Sequence, residues 1–92
     1  MVVDIRRHSA TRCEEKLDLT AREYRLLAYF ARHRGRVVTR EELLDAVWEY
    51  RHAPLTRTVD MHVAKLRKKI EPDPHAPRYL LTVHGLGYKF TG

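Results

Sequence analysis

Five basic side chains, Arg57, Lys65, Arg67, Lys68 and Lys69, fall within the fourteen residues RTVDMHVAKLRKKI at 57–70, against a single acid, Asp60. Their spacing decides what such a run can do. At about 100° per residue, Val59, Val63, Leu66 and Ile70 align in one stripe, the pattern of a helix that buries one face. Arg57, Met61, Ala64, Lys65 and Lys68 share the opposite side. That side lacks acid and is small or unbranched in its middle. A cationic helix face of low relief can enter the major groove of DNA. There Lys and Arg reach guanine acceptors and phosphates, and an apolar group meets the thymine methyl. The competing reading is a solvated basic face on an ordinary surface helix. The surrounding elements choose between the two.

The chain has 92 residues, enough for one domain with a single modest core. Its formal charge of +6 favours an acidic polymer as partner. An anionic membrane fits poorly. No apolar run approaches the roughly 18 residues of a spanning helix, and the basic helix has no Trp/Phe/Leu-rich face. Asp4, Arg6 and Arg7 follow Met1 too closely for a secretory signal. The single cysteine, Cys13, has no internal disulfide partner and fits a reducing cytoplasm. No nucleophile-type turn surrounds it. The six histidines include no pair three to five residues apart, so a zinc site is not expected. No acid, base and nucleophile set is recognisable, and the chain is read as a non-enzyme without a cofactor.

The elements that must position the basic helix follow from pattern and punctuation. Val3 and Ile5 alternate with polar residues, as do Leu17 and Leu19, which predicts short antiparallel strands with a turn within Arg7–Arg12. Thr20-Ala21-Arg22-Glu23 is a capping box opening a first helix, whose apolar arc is Leu26, Leu27, Phe30 and Ala31. Gly35 is its stop. Thr39-Arg40-Glu41-Glu42 repeats the box for a second, short helix with Leu43, Leu44, Val47 and Trp48 inward. Pro54 lies in a connection, Glu49–Leu55, and Thr56 is placed as cap of the basic helix. Pro72, Pro74 and Pro77 end that helix and hold a linker. Tyr79–Val83 and Tyr88–Phe90 read as strands around the turn His84-Gly85-Leu86-Gly87. The fold class is therefore α+β: an N-terminal antiparallel sheet, three helices forming a helix-turn-helix, and a C-terminal hairpin that makes it winged.

Four motifs in this order resemble the DNA-binding effector domain of OmpR/PhoB-type response regulators. They are LTAREYRLL at 19–27, GRVVTREELLDAVW at 35–48, RTVDMHVAKLRKKI at 57–70 and TVHGLGYKF at 82–90. The resemblance covers almost the whole chain, 1–92. It implies a four-stranded N-terminal sheet, a third helix in the major groove and a wing, 79–90, at the minor groove. It places Arg57, Thr58, Asp60, Met61, Ala64, Lys65, Arg67 and Lys68 at or near DNA. Lys65 is expected at guanine and Met61 at a thymine methyl. Asp60 either accepts from cytosine N4 or orients Arg57 or Lys68. Arg57, Thr58, Arg67 and Lys68 are expected on phosphates. Ala64 departs from the family, where a polar or basic residue is common. His84 departs too, standing where several relatives carry a minor-groove Arg. Its contribution is expected to grow as pH falls toward about 6, and a His84→Ala variant that binds like wild type at both pH 6 and pH 8 would exclude this. His62 is expected to pack with a polar tip. Trp48, Tyr24, Tyr29, Tyr79 and Tyr88 are expected to pack rather than stack on bases.

The resemblance further implies a receiver domain ahead of the effector in the full-length protein. No part of this chain resembles one, and the chain reads as an excised C-terminal half. Double-stranded DNA carrying direct repeats is the expected partner, met by a chain that is monomeric alone and paired head to tail on DNA. The loop Glu49–Leu55 can touch RNA polymerase. Two alternatives stay open: a winged-helix module that docks an acidic protein, and a regulator anchored by a membrane segment after Gly92.

Overall fold

The computed structural model describes residues 2–4, 9–12, 15–48 and 56–92. Strands β1 (Val2–Asp4), β2 (Ser9–Arg12) and β3 (Glu15–Lys16) come first, then helix α1 (Ala21–Arg32), strand β4 (Val37–Thr39), helices α2 (Arg40–Trp48) and α3 (Thr56–Ile70), and strands β5 (Leu80–Val83) and β6 (Gly87–Phe90). They form two antiparallel three-stranded sheets, ordered β1-β2-β3 and β4-β6-β5.

The first sheet departs from the expectation. Residues 9–12, within the stretch expected to contain a turn, are a strand, and Leu17–Thr20 are not. The reason is that a single small residue, Ala10, supplies the apolar position; it is 1% exposed and pairs with Val3. Ala10 between polar neighbours leaves no alternation to read. Leu17 and Leu19 still pack on the core, and the Leu17 N–H donates to Ala10 O at 2.8 Å. Three strands stand here among the described residues, against the four that the resemblance implies.

The helices follow their signals closely. Thr20 Oγ1 accepts from the Glu23 N–H at 3.1 Å and Glu23 Oε1 accepts from the Thr20 N–H at 2.9 Å, so the first capping box is complete. The second is half made. Thr39 Oγ1 takes the Glu42 N–H at 3.1 Å, but the Glu42 carboxylate turns to Arg36 and Tyr29 instead of returning to Thr39. Thr56, expected as a cap, is the first helical residue of α3. Leu26, Leu27, Phe30, Leu43, Val59, Val63, Leu66 and Ile70 are wholly buried and form one core with Val38, Leu80 and Phe90. No helix among the described residues is long and apolar enough to cross a membrane.

Strand β4 was not legible in the sequence, and it explains Gly87. The sequence places Gly87 in the turn for its backbone freedom. In the structure Gly87 is the first residue of β6, pairs with Thr39 and Val83, and a Cβ there would sit 2.1 Å from the Val38 carbonyl oxygen. Only glycine lets β4 and β6 approach so closely. The turn itself uses Gly85, at φ 78°. The wing is thereby joined to the body through β4, and Gly35 N–H closes onto Phe90 O at 2.9 Å.

Candidate nucleic-acid interface

Helix α3 divides as its spacing requires. Val59, Val63, Leu66 and Ile70 are buried, while Arg57, Met61, Ala64, Lys65 and Lys68 are all exposed on the opposite face. Met61 is 58% exposed in the middle of this face. The wing tip His84-Gly85-Leu86 is exposed too, with Leu86 at 58%. The two features are separate projections of one connected body, because the wing strands are bonded to α3 rather than merely following it.

That bonding recruits two residues expected at DNA. Arg67 is half-buried, and its Nε and Nη2 donate to Leu80 O at 3.1 and 2.8 Å. Nη2 also donates to Thr82 Oγ1 at 2.8 Å. Arg67 thus fastens α3 to β5. Asp60 Oδ1 accepts from Arg40 Nε at 2.7 Å and from the Tyr88 hydroxyl. The acid therefore orients Arg40, not Arg57 or Lys68. The Tyr88 ring in turn receives the guanidinium carbons of Arg40 at 5.4 Å and Arg67 at 5.5 Å. Arg40 at the start of α2, Asp60 and Arg67 on α3, and Tyr88 on β6 form one seam.

The seam perturbs its own acids and bases. Burial pushes the Tyr88 hydroxyl up to about 12, helped by its bond to the Asp60 carboxylate. Burial also raises the Asp60 carboxyl, but hydrogen bonds from Tyr88 and Arg40 outweigh it and hold the group below its ordinary value. Arg40 is stabilised as a cation by the same pair. Asp60 therefore stays ionised and Tyr88 neutral across the physiological range.

Glu23, Glu71, Trp48 and His62 also help place α3; the sequence showed the capping role of Glu23 and the packing of Trp48 and His62, but not the second role of Glu23 or that of Glu71. Glu23 is 4% exposed and takes Lys69 Nζ at 2.6 Å, so the capping box of α1 doubles as an anchor for the last turn of α3. Burial raises its carboxyl, yet the Lys69 and Thr20 bonds bring it net below the ordinary range. Glu71 is 3% exposed and accepts from the backbone N–H groups of Arg78, Tyr79 and Leu80 at 2.8–3.1 Å. One carboxylate thus satisfies the chain where it turns from the linker into β5. A Glu following a helix ahead of three prolines was the available signal. Trp48 is partly buried on the core, with Arg22 over its ring at 5.1 Å and His62 edge-on at 5.1 Å. His62 Nδ1 bonds Thr58 O at 2.9 Å, which matches packing with a polar tip. Tyr24 and Tyr88 are buried, and Tyr29 and Tyr79 pack against the core.

The connection Glu49–Leu55 lies outside the described residues, as does Cys13. Of the nine residues proposed for DNA, Arg57, Met61, Ala64, Lys65 and Lys68 make one exposed face, with Thr58 half-buried at its edge. His84 stands apart on the wing, and Asp60 and Arg67 belong to the seam.

Comparison with known proteins agrees with this geometry. Residues 14–90 match the family described as transcriptional regulatory protein, C terminal. The alkaline phosphatase synthesis transcriptional regulatory protein PhoP of Bacillus subtilis is 53% identical over 76 residues, covering 83% of this chain and 32% of that protein. The response regulator DrrB of Thermotoga maritima, an OmpR/PhoB homologue, superposes with a TM-score of 0.78 at 41% identity, over 85% of this chain and 35% of DrrB. The DNA-binding domain of the response regulator AdeR, solved in complex with an intercistronic region, superposes with a TM-score of 0.83 at 33% identity, over 99% of this chain and 92% of that one. The chain spans about a third of the length of PhoP.

Proposed function

The chain belongs to the family of transcriptional regulatory C-terminal domains of OmpR/PhoB-type response regulators, and we propose that it binds double-stranded DNA by laying the outward face of α3 in the major groove. The observation that carries the reading is that face: Arg57, Lys65 and Lys68 exposed around Met61 and Ala64, on a helix whose other side is wholly buried. DNA binding serves transcription regulation, as it does across the family. Lys65 donates to guanine and Met61 covers a thymine methyl. Arg57, Thr58 and Lys68 hold phosphates and set the register. His84 at the exposed wing tip lies at the minor groove. Asp60 and Arg67 position the reading elements and are not themselves readers, which their bonds to Arg40, Tyr88 and Leu80 support.

The remaining length of the relatives accommodates a phosphorylatable receiver domain, and the cytoplasm is where a chromosomal partner would be met. Two copies bind head to tail on direct repeats, and the connection at 49–55 is offered to RNA polymerase. Salt dependence tests the electrostatic part. Each phosphate neutralised by a cation contributes about −0.9 to the slope of log K against log salt, and if five or six are neutralised per protomer the slope is about −5. Lys68→Ala should reduce that slope by about 0.9 without changing site preference. A wild-type slope near zero would remove the reading.

A further inference from the structure

Beside the C-terminal half of α3 lies a cleft of about 160 Å³, lined by Ala64, Arg67 and Lys68 from the helix and by Pro74 and His75 from the linker. Its lining is more apolar than polar. Its rim is polar, with Lys68 and His75 both exposed. The linker that forms its outer wall is held in shape. The Glu71 carboxylate ties down the backbone of Arg78, Tyr79 and Leu80, the Asp73 carboxylate takes the His75 N–H at 3.0 Å, and the Ala76 N–H donates to Asp73 O at 3.0 Å. Asp73, the one acid between residues 72 and 77, is thus turned back onto its own loop.

The cleft shares Ala64 and Lys68 with the face of the proposed readers. Met61, Ala64, Lys65 and Lys68 follow one another along that face, and Met61 and Lys68 are about 10 Å apart along the axis at 1.5 Å rise per residue. The major groove is only about 12 Å wide. With Met61 and Lys65 over base edges, the end of α3 that carries the cleft therefore reaches the groove wall, where the duplex presents deoxyribose and phosphate. We propose that this cleft seats one sugar-phosphate unit of the DNA backbone, the sugar on Ala64 and Pro74 and the phosphate between the Lys68 ammonium and the His75 ring N–H. Ala64 is then not a missing base contact. Its small side chain is what leaves the cleft open, and a longer residue at 64 would fill it.

The inference rests on the duplex-binding reading above and adds the linker to the interface. The test measures binding of a mixed-sequence duplex, a few helical turns long, over a range of salt concentrations. The proteins are wild type, His75→Ala, Lys68→Ala, the double variant and Ala64→Leu. The His75 ring is exposed and its backbone bond to Asp73 survives truncation, so His75→Ala should keep the wild-type circular dichroism and melting. It should nonetheless weaken binding by about tenfold, as for a lost hydrogen bond to a charged group. In the Lys68→Ala background the same change should cost much less, because both side chains hold one phosphate. Ala64→Leu should weaken binding to a similar degree and make His75→Ala silent. Wild-type affinity in His75→Ala would overturn the proposal, and so would full additivity with Lys68→Ala. Absence of salt-dependent binding by the wild type would instead overturn the DNA-binding reading on which it rests.

Discussion

On the outward face of α3, Arg57, Lys65 and Lys68 stand exposed around Met61 and Ala64. On the seam between α3, α2 and the wing, Arg40 and Arg67 are engaged by Asp60, Leu80, Thr82 and the Tyr88 ring. Both regions are rich in cations, and both lie on or against the same helix. The difference is what surrounds each charge. A cation beside a buried ring, a carboxylate and a strand carbonyl is consumed in holding the protein together. The cations beside Ala64 and Met61 are exposed and make no ion pair among the described residues. The seam also fixes the spacing between α3 and the wing strands.

Breaking the seam should cost stability. The largest loss is expected for Arg67→Ala, which removes three hydrogen bonds to β5 and the stacking on Tyr88. About 2–3 kcal/mol should go in urea denaturation. A loss below about 0.5 kcal/mol, the range of an ordinary surface site, would remove Arg67 from the seam. Tyr88→Phe keeps the ring and removes only the hydroxyl bonded to Asp60. It should cost about 1 kcal/mol in the same assay, and an unchanged denaturation midpoint would show that the ring alone makes the seam.

Acid should weaken the seam, the Arg36–Glu42–Tyr29 corner and the Glu23–Lys69 pair as their carboxylates protonate. Hydrogen bonds from Arg36 outweigh burial and, with Tyr29, hold the Glu42 carboxyl near 2 against an ordinary 4.5, while Asp60 and Glu23 are lowered in the same direction. A depressed carboxyl contributes stability that is fully present above its unfolded value and lost as pH falls through its folded one. Denaturation midpoints should therefore be flat above about pH 5 and fall from about 4.5 toward 2, and Glu42→Gln should flatten part of that fall. Constant stability across the interval would contradict the cited bonds. The smallest effect belongs to the outward face. Lys68→Ala should leave stability within about 0.5 kcal/mol while lowering the salt slope of DNA binding.

The two regions also differ in how far the sequence reveals them. The outward face was legible because helical periodicity assigns Lys65 and Lys68 to one side and Leu66 to the other without any knowledge of neighbours. The seam was not, since Asp60 and Tyr88 are 28 residues apart in sequence and no local pattern announces their meeting. Arg67 shows the limit sharply. It lies beside Lys68 in the chain, and the position of β5 turns it from an expected phosphate contact into a tie within the protein. Strand β4 escaped for a related reason: Val37-Val38-Thr39 is too short to show a period and merges into the cap of α2. The strand at 9–12 escaped because Ala10 alone marks its buried side. Capping boxes, glycines and prolines, which act within a few residues, bounded α1, α2 and α3 nearly where the structure has them.

The measurement that bears most directly on the outward face is selection from a random double-stranded DNA library, run in parallel with wild type and Lys65→Ala. Wild type should enrich a defined half-site, repeated in the same direction at about 10–11 bp. Lys65→Ala should enrich the same site with one G·C pair relaxed, a discrimination of about 1–3 kcal/mol. Retention of DNA without any enriched sequence, or identical sites from both proteins, would contradict the assignment of α3 as the reading element and of Lys65 as its guanine contact.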